Sequence, residues 1–342
     1  MLPTDVPEAP ARTLLITGAT GFVGSALVRR LLARGWPAER LRCLVRDAAR
    51  ATALGLPPAG LCRGDLDQDD GPALRTALAS VDVVVHLAGA LKGHDQAGFD
   101  RVNVHGTRSL LAAAAAAGGR PHVVQVSSLA AAGPSLDGRG SAAVPAECQP
   151  VSHYGRSKLG GELAVVASGL PYTILRPPVV YGPGDAATRL LFRQALGLVT
   201  AVPPTPRPLS VIHVDDVVDA VARAIDQLPV AAVLPLDGKE RTDTHAFLRA
   251  IAAACGRRAR LLPVPLVLAG AAAAACDLWA RLTGRDGFFN RDKVREIRAR
   301  GWVADGSAAH ERLGFVPRVA LAAGLAAVAR AEGFAPVTSA TA

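Results

Sequence analysis

The sequence is short of lysine, aromatic residues and paired cysteines, and each shortage argues against a class of function. Only four of its 38 basic residues are lysines: Lys92, Lys158, Lys239 and Lys293. The formal charge of +9 therefore rests on scattered arginines rather than on a basic block. Aromatic residues make up 4% of the chain, and scattered charge without stacking side chains argues against a nucleic-acid surface. The cysteines, Cys43, Cys62, Cys148, Cys255 and Cys276, are odd in number and form no C-x-x-C pair. That argues against a disulfide framework or a metal site, and it fits a reducing, cytoplasmic compartment. Met1–Ala11 carries Pro, Asp and Glu instead of a basic stretch followed by an apolar one, so no signal peptide is expected. The uncharged run Leu261–Cys276 has 16 residues and contains Pro263 and Pro265, whereas a spanning helix needs about 20 apolar residues. Asp277, Arg281 and Arg285 follow it. The expectation is a buried or cap helix starting at Pro265, with docking to a membrane surface or to a lipophilic substrate as the alternative.

What is present is a rhythm. Half of the 342 residues are hydrophobic, enough for a sizeable core. Short apolar runs at Thr13–Thr17, Leu41–Val45, a stretch ending near Arg63, Val81–Leu87, His122–Val126 and Tyr172–Leu175 read as strands. Between them, Phe22–Ala33, Val102–Ala117 and Tyr154–Ala167 carry helical patterns. This alternation predicts an α/β fold, a Rossmann-type doubly wound parallel sheet covered on both faces. After Arg176 the prolines cluster, and helices return at about Val214–Gln227, Thr242–Cys255 and Pro265–Thr283. Residues 12–176 are expected to bind a nucleotide cofactor. Residues 177–332 are expected to form a smaller, mostly helical substrate cap with segments returning to the main sheet.

The first strand runs into Gly18-Ala19-Thr20-Gly21-Phe22-Val23-Gly24, ahead of a helix. A glycine-rich strand-to-helix turn lets backbone N–H groups approach a pyrophosphate, and the helix N-terminus favours the negative charge. After the second strand comes Arg46, then Asp47. NAD binders often place an acid there, whereas an arginine suits a 2′-phosphate, so NADP is preferred over NAD. Asp65, after the third strand, is placed either to accept from an adenine amino group or to cap the next helix.

Tyr154 and Lys158 stand four apart, on one face of a helix. A nearby ammonium favours the phenolate and should lower the tyrosine pKa, suiting it to proton transfer as hydride moves. With three tyrosines and four lysines, about 0.04 accidental matches to this spacing are expected. The strand His122–Val126 ends in Ser127-Ser128, where one hydroxyl can face the site and the other the packing.

Together with His86-Leu87-Ala88-Gly89, Asn103–Thr107, Arg176–Gly184 and His213–Val217, these motifs resemble the extended short-chain dehydrogenase/reductase family. The likeness is to its NAD-dependent epimerase/dehydratase and 3β-hydroxysteroid-dehydrogenase-like branch, over about residues 12–330. The resemblance implies cofactor contacts from Gly18, Thr20, Gly21, Phe22, Val23, Gly24, Arg46, Asp65, Leu66, Leu87, Ala88, Gly89, Ser127, Tyr154, Lys158, Pro177 and Val179. It implies that Tyr154 is the acid/base, Lys158 the ribose anchor, Ser128 the catalytic hydroxyl and Asn103 the organiser of the active-site helix. Two departures narrow the chemistry. Leu129-Ala130-Ala131-Ala132 follows Ser128 where related dehydratases carry an Asp-Glu pair, and Ala132 replaces the tyrosine of many epimerases. A dehydrogenase or reductase of a carbonyl/secondary alcohol pair is expected, on an apolar steroid-like, lipid-like or polyketide-like small molecule. The alternatives are a nucleotide-sugar epimerase with tightly held NAD, and a non-catalytic NAD(P)-binding sensor or assembly protein. Peripheral membrane contact fits the apolar run, and a homodimer fits the helices Val102–Ala117 and Tyr154–Ala167.

Overall fold

The computed structural model describes residues 12–67, 71–93, 95–135, 140, 147–283 and 289–335. Met1–Ala11 and Arg285, read above from sequence, lie outside them. Seven strands form one parallel sheet, in the order Ala232–Pro235, Tyr172–Arg176, His122–Val126, Val83–His86, Leu14–Thr17, Leu41–Val45 and Leu61–Arg63. The period-2 alternation of a strand sorts its side chains between two cores. Leu14, Ile16, Val83 and Val85 pack on one face with Leu27, Leu31, Val217 and Val221. Leu15, Val84 and Val123 pack on the other with Leu74, Leu110 and Val165. Because both faces are covered, these strands are apolar almost throughout.

Strand order reverses between Leu14–Thr17 and Val83–His86, which lie side by side. Their carboxyl ends therefore open a crevice at the switch point of the sheet, where ligands bind in such folds. The glycine turn leaves the first of these strands and Leu87–Gly89 leaves the second.

Part of the chain beyond Arg176 returns to this layer. The helix Val214–Gln227 buries a stripe of Val214, Val217, Val218, Val221 and Ile225 and packs beside the helix Phe22–Ala33. Ala232–Pro235 adds the seventh strand. The remainder builds a small sheet of Arg241–Asp243, Pro208–His213 and Val179–Tyr181. Its core joins Tyr181, Phe192, Phe247, Ile251, Leu325 and Val328.

Three elements depart from the sequence expectation. The segment Val102–Ala117 is not one regular helix. Arg101–His105 forms a wider i→i+5 turn, and the α-helix proper is Gly106–Ala116. Such turns gather at functional sites, and this one contains Asn103. Thr242–Cys255 divides into the strand Arg241–Asp243 and the helix Thr244–Ala254, because Asp243 accepts from His245 and Ala246 N–H as an N-cap. The helix expected from Pro265 starts at Leu266, runs to Thr283 and buries only one side: Ala273 and Ala280 are buried, Leu268 and Trp279 exposed.

Candidate active site

The glycine turn is shaped by close approach. Gly18 has φ +71°, and a Cβ there would stand 2.7 Å from the Ala88 backbone nitrogen. A Cβ on Gly24 would stand 2.2 Å from the Gly18 carbonyl oxygen. Gly21 is the N-cap of the helix Phe22–Ala33 and offers no side chain to its first amides. Several other helices of the chain carry a side-chain cap, among them those headed by Asp47, Ser152, Asp185 and Asn290. A bare helix N-terminus on a cradle that any Cβ would fill fits the pyrophosphate of a dinucleotide. Thr20, Phe22 and Val23 are half-buried around it.

A directed hydrogen-bond chain ties the two central strands to the active-site helix. Thr107 Oγ1 donates to Asn103 O at 2.8 Å, so it accepts from His86 Nε2–H at 2.9 Å. His86 Nδ1 then accepts from the Thr17 hydroxyl at 2.7 Å, and Thr17 Oγ1 accepts from Ala88 N–H at 3.2 Å. The imidazole is held neutral, its pKa pushed down to about 3, first by burial and then by the Lys158 ammonium. Asn103 Oδ1 accepts from Ala90 N–H at 2.7 Å, and its Nδ2 donates to Ser157 Oγ at 2.8 Å. The loop after Val83–His86 is thereby fastened to the helix His153–Ala167.

That helix carries Tyr154, Lys158 and Glu162 at successive spacings of four. Lys158 Nζ donates to Val126 O at 3.0 Å and lies 3.7 Å from where a Gly89 Cβ would stand, so the amine sits in the crevice. Burial lowers its pKa to about 8 and Glu162 opposes the shift, leaving an ammonium at neutral pH. Tyr154 is half-buried, its ring tilted against Phe99 at 6.0 Å, with Ser128 close enough to act on its phenol. The expected lowering of the phenol is overturned. Burial raises it to about 12, against the Ser128 hydrogen bond and with help from Glu296. At neutral pH it is protonated. Ser128 also accepts from Ala130 N–H at 3.1 Å, capping the buried turn Leu129–Ala132.

The remaining sequence candidates are placed as follows. The Ser127 hydroxyl turns inward and donates to Glu162 at 2.5 Å, which commits it to packing. Leu87 and Ala88 are half-buried at the crevice, Pro177 is buried, and Val179 is exposed. Leu66 is buried, in van der Waals reach of Gly106. Asp65 Oδ1 accepts from Asp67 N–H at 3.1 Å. Arg46 is exposed at the carboxyl edge of the sheet, two residues past Leu44, which is level with Thr17. The Asp47 carboxylate caps the next helix through Arg50 N–H.

Three acids escaped the sequence reading. Glu162 is fully buried against Arg176 at 2.5 Å. Its signal was present, since it continues the Tyr154–Lys158 face by one more turn. Asp292 accepts from His153 N–H at 2.7 Å and Tyr154 N–H at 3.4 Å, and Glu296 acts on the Tyr154 phenol from the same helix, Arg291–Arg298. A contact spanning some 140 residues leaves no trace in spacing.

A Rossmann sheet with a bare glycine cradle, and with Ser128, Tyr154 and Lys158 at its switch point, defines a nicotinamide-dependent oxidoreductase class. The model of the NAD dependent epimerase/dehydratase family matches residues 14–232. The chain belongs to this family, the extended type of short-chain dehydrogenase/reductase. A ceramide reductase of Caulobacter vibrioides is 36% identical over 295 residues, 84% of either chain. Sterol demethylase protein B of Methylococcus capsulatus is 32% identical over 330 residues, 93% of this chain and 97% of the other. The structure of MoeE5 in complex with UDP-glucose and NAD superposes with a TM-score of 0.71 at 26% identity, covering 94% of this chain and 98% of that one.

Proposed function

We propose that the protein reduces a ketone to a secondary alcohol on an apolar, lipid-like substrate, using NADPH. The observation that carries this reading is the Tyr154 hydroxyl, kept protonated by burial, beside Ser128 and the buried apolar turn Leu129–Ala132 that Ser128 caps, which holds no carboxylate. A bound reduced nicotinamide supplies the hydride for the carbonyl carbon. Tyr154 gives its proton to the carbonyl oxygen as charge develops there, and Ser128 donates a hydrogen bond to the same atom. Lys158 holds the cofactor ribose and keeps a positive charge beneath the reacting groups. Elimination needs a second acid and base beside Ser128, and Leu129–Ala132 supplies neither.

The apolar substrate is supported by the names of two relatives, a ceramide reductase and a sterol demethylase protein. NADP over NAD is supported by Arg46, exposed at the sheet edge while Asp47 is engaged as a cap. In this reading residues 12–176 hold the cofactor and residues 177–332 shape the substrate pocket. Leu163 and Val166, exposed on the helix His153–Ala167, form a proposed homodimer face with the helix Gly106–Ala116. The likeness to MoeE5, bound to UDP-glucose and NAD, favours a second reading, a nucleotide-sugar enzyme with resident NAD.

Purified protein is offered NADPH and long-chain ketones, and loss of reduced nicotinamide absorbance is followed. Turnover that rises with chain length supports the lipid reading. NAD(H) co-purifying with the protein, together with UDP-glucose binding and no ketone turnover, supports the other.

A further inference from the structure

We propose that the helix Leu266–Thr283 is a membrane-docking element that lies on the surface of an anionic lipid bilayer. Its outward arc carries Val267, Leu268, Leu278, Trp279 and Leu282, each at least 60% exposed, with alanines between them. The burial pattern is inverted with respect to an ordinary surface helix, which turns its largest apolar side chains inward. Here alanines face the protein. Leu262, in the strand just before this helix, and Leu198, just before the strand Thr200–Val202 that pairs with it, are exposed as well. Apolar patches of this extent mark interaction surfaces.

Charge selects the occupant. Arg257, Arg258 and Arg260 are exposed just before the patch. Arg291 and Arg298 flank it on the neighbouring helix, Arg298 reaching Leu266 O at 3.5 Å and Arg291 standing 3.9 Å from Asp277. Asp277 is the one acid within the helix. An apolar face rimmed by arginines fits acyl chains below and phosphate headgroups around. A second copy of the chain would set the same cationic rim against itself. The helix is about 27 Å long and lies on the bilayer rather than crossing it. Among the described residues no helix is long and apolar enough to span. The adjoining helix Arg291–Arg298 contacts the Tyr154 backbone through Asp292, so the docked face is one helix away from the candidate active site.

This inference is independent of the proposed reduction, because its test involves no turnover. Full-length protein is floated with phosphatidylcholine vesicles, with and without about one third phosphatidylglycerol. Binding is expected to the anionic vesicles, to weaken with salt, and to bring Trp279 within quenching range of brominated acyl chains. Leu268→Glu/Leu282→Glu should lower partitioning about a hundredfold while leaving the thermal unfolding curve in place. Arg257→Gln/Arg258→Gln/Arg260→Gln, outside the helix, should abolish the preference for anionic vesicles even if the first variant fails to fold. Absence of vesicle binding by the wild type, or binding that neither variant weakens, overturns the proposal. So does a dimer seen by light scattering that the glutamate variant dissociates in the absence of lipid binding.

Discussion

Polar and apolar groups are distributed in opposite senses at the catalytic helix and at the helix Leu266–Thr283. Around His153–Ala167 the protein buries charge: Arg176, Glu162 and Lys158 lie in the interior, each hydrogen-bonded, and His86 is threaded between two threonines. Around Leu266–Thr283 it exposes leucine, valine and tryptophan. Burying ions costs folding free energy that well-packed apolar residues would not. Leaving apolar side chains in water forgoes stabilisation. Neither arrangement serves stability, so each points to a use: a polar scaffold around the proposed proton donor at one helix, and the proposed docking surface at the other.

The contrast is tested most severely at its buried end. Glu162→Gln removes the carboxylate that faces the fully buried Arg176 guanidinium and should cost about 3–5 kcal/mol, read by urea unfolding. A loss under about 1 kcal/mol would mean that solvent reaches the pair. Tyr154→Phe should keep the fold and lower kcat about a thousandfold, since only the proton donor is removed. Full turnover in that variant would sink the catalytic assignment. Next comes acid. His86 and His122 are pushed down to about 3 and about 4 from 6.5, first by burial. Below 6.5 the unfolded chain takes up protons that the folded chain refuses, so stability falls with pH down to those values. The slope should reach about 1.4 kcal/mol per pH unit per histidine, measured as unfolding free energy at successive pH values. An unchanged free energy between pH 7 and pH 5 contradicts it. Arg46→Ala should cut the NADPH-over-NADH ratio of kcat/KM about tenfold, and an unaltered ratio would detach Arg46 from the 2′-phosphate. The smallest effect belongs to the exposed helix. Leu268→Ala should move stability by no more than about 0.5 kcal/mol, and a larger loss would show that its face is already covered.

The sequence displayed those parts whose signal is local. The alternation of buried strands placed six of the seven strands to within about two residues, though not Ala232–Pro235, and the glycine turn and the Tyr154–Lys158 spacing gave the heart of the candidate site. Which serine faces the tyrosine was left open by the residues alone, since that depends on Glu162 drawing Ser127 inward. The wide turn at Asn103 was invisible, because its sequence is compatible with a regular helix. The sign of the Tyr154 shift was misjudged, because spacing shows the neighbouring lysine but not the desolvation around the ring. Asp292 and Glu296 reach the site from a helix that no local pattern connects to it.

The strand Ala232–Pro235 has a consequence for how the protein comes into being. The sheet's edge at Tyr172–Arg176 is completed by a segment that is synthesised more than fifty residues later. Until the ribosome has released it, the nascent sheet ends in an unpaired, apolar strand of the kind that templates aggregation. A truncation after Arg176 should therefore be recovered in inclusion bodies or bound to chaperones. One that ends after Leu236 carries the sheet's outermost strand, leaves Tyr172–Arg176 paired, and should stay in solution longer.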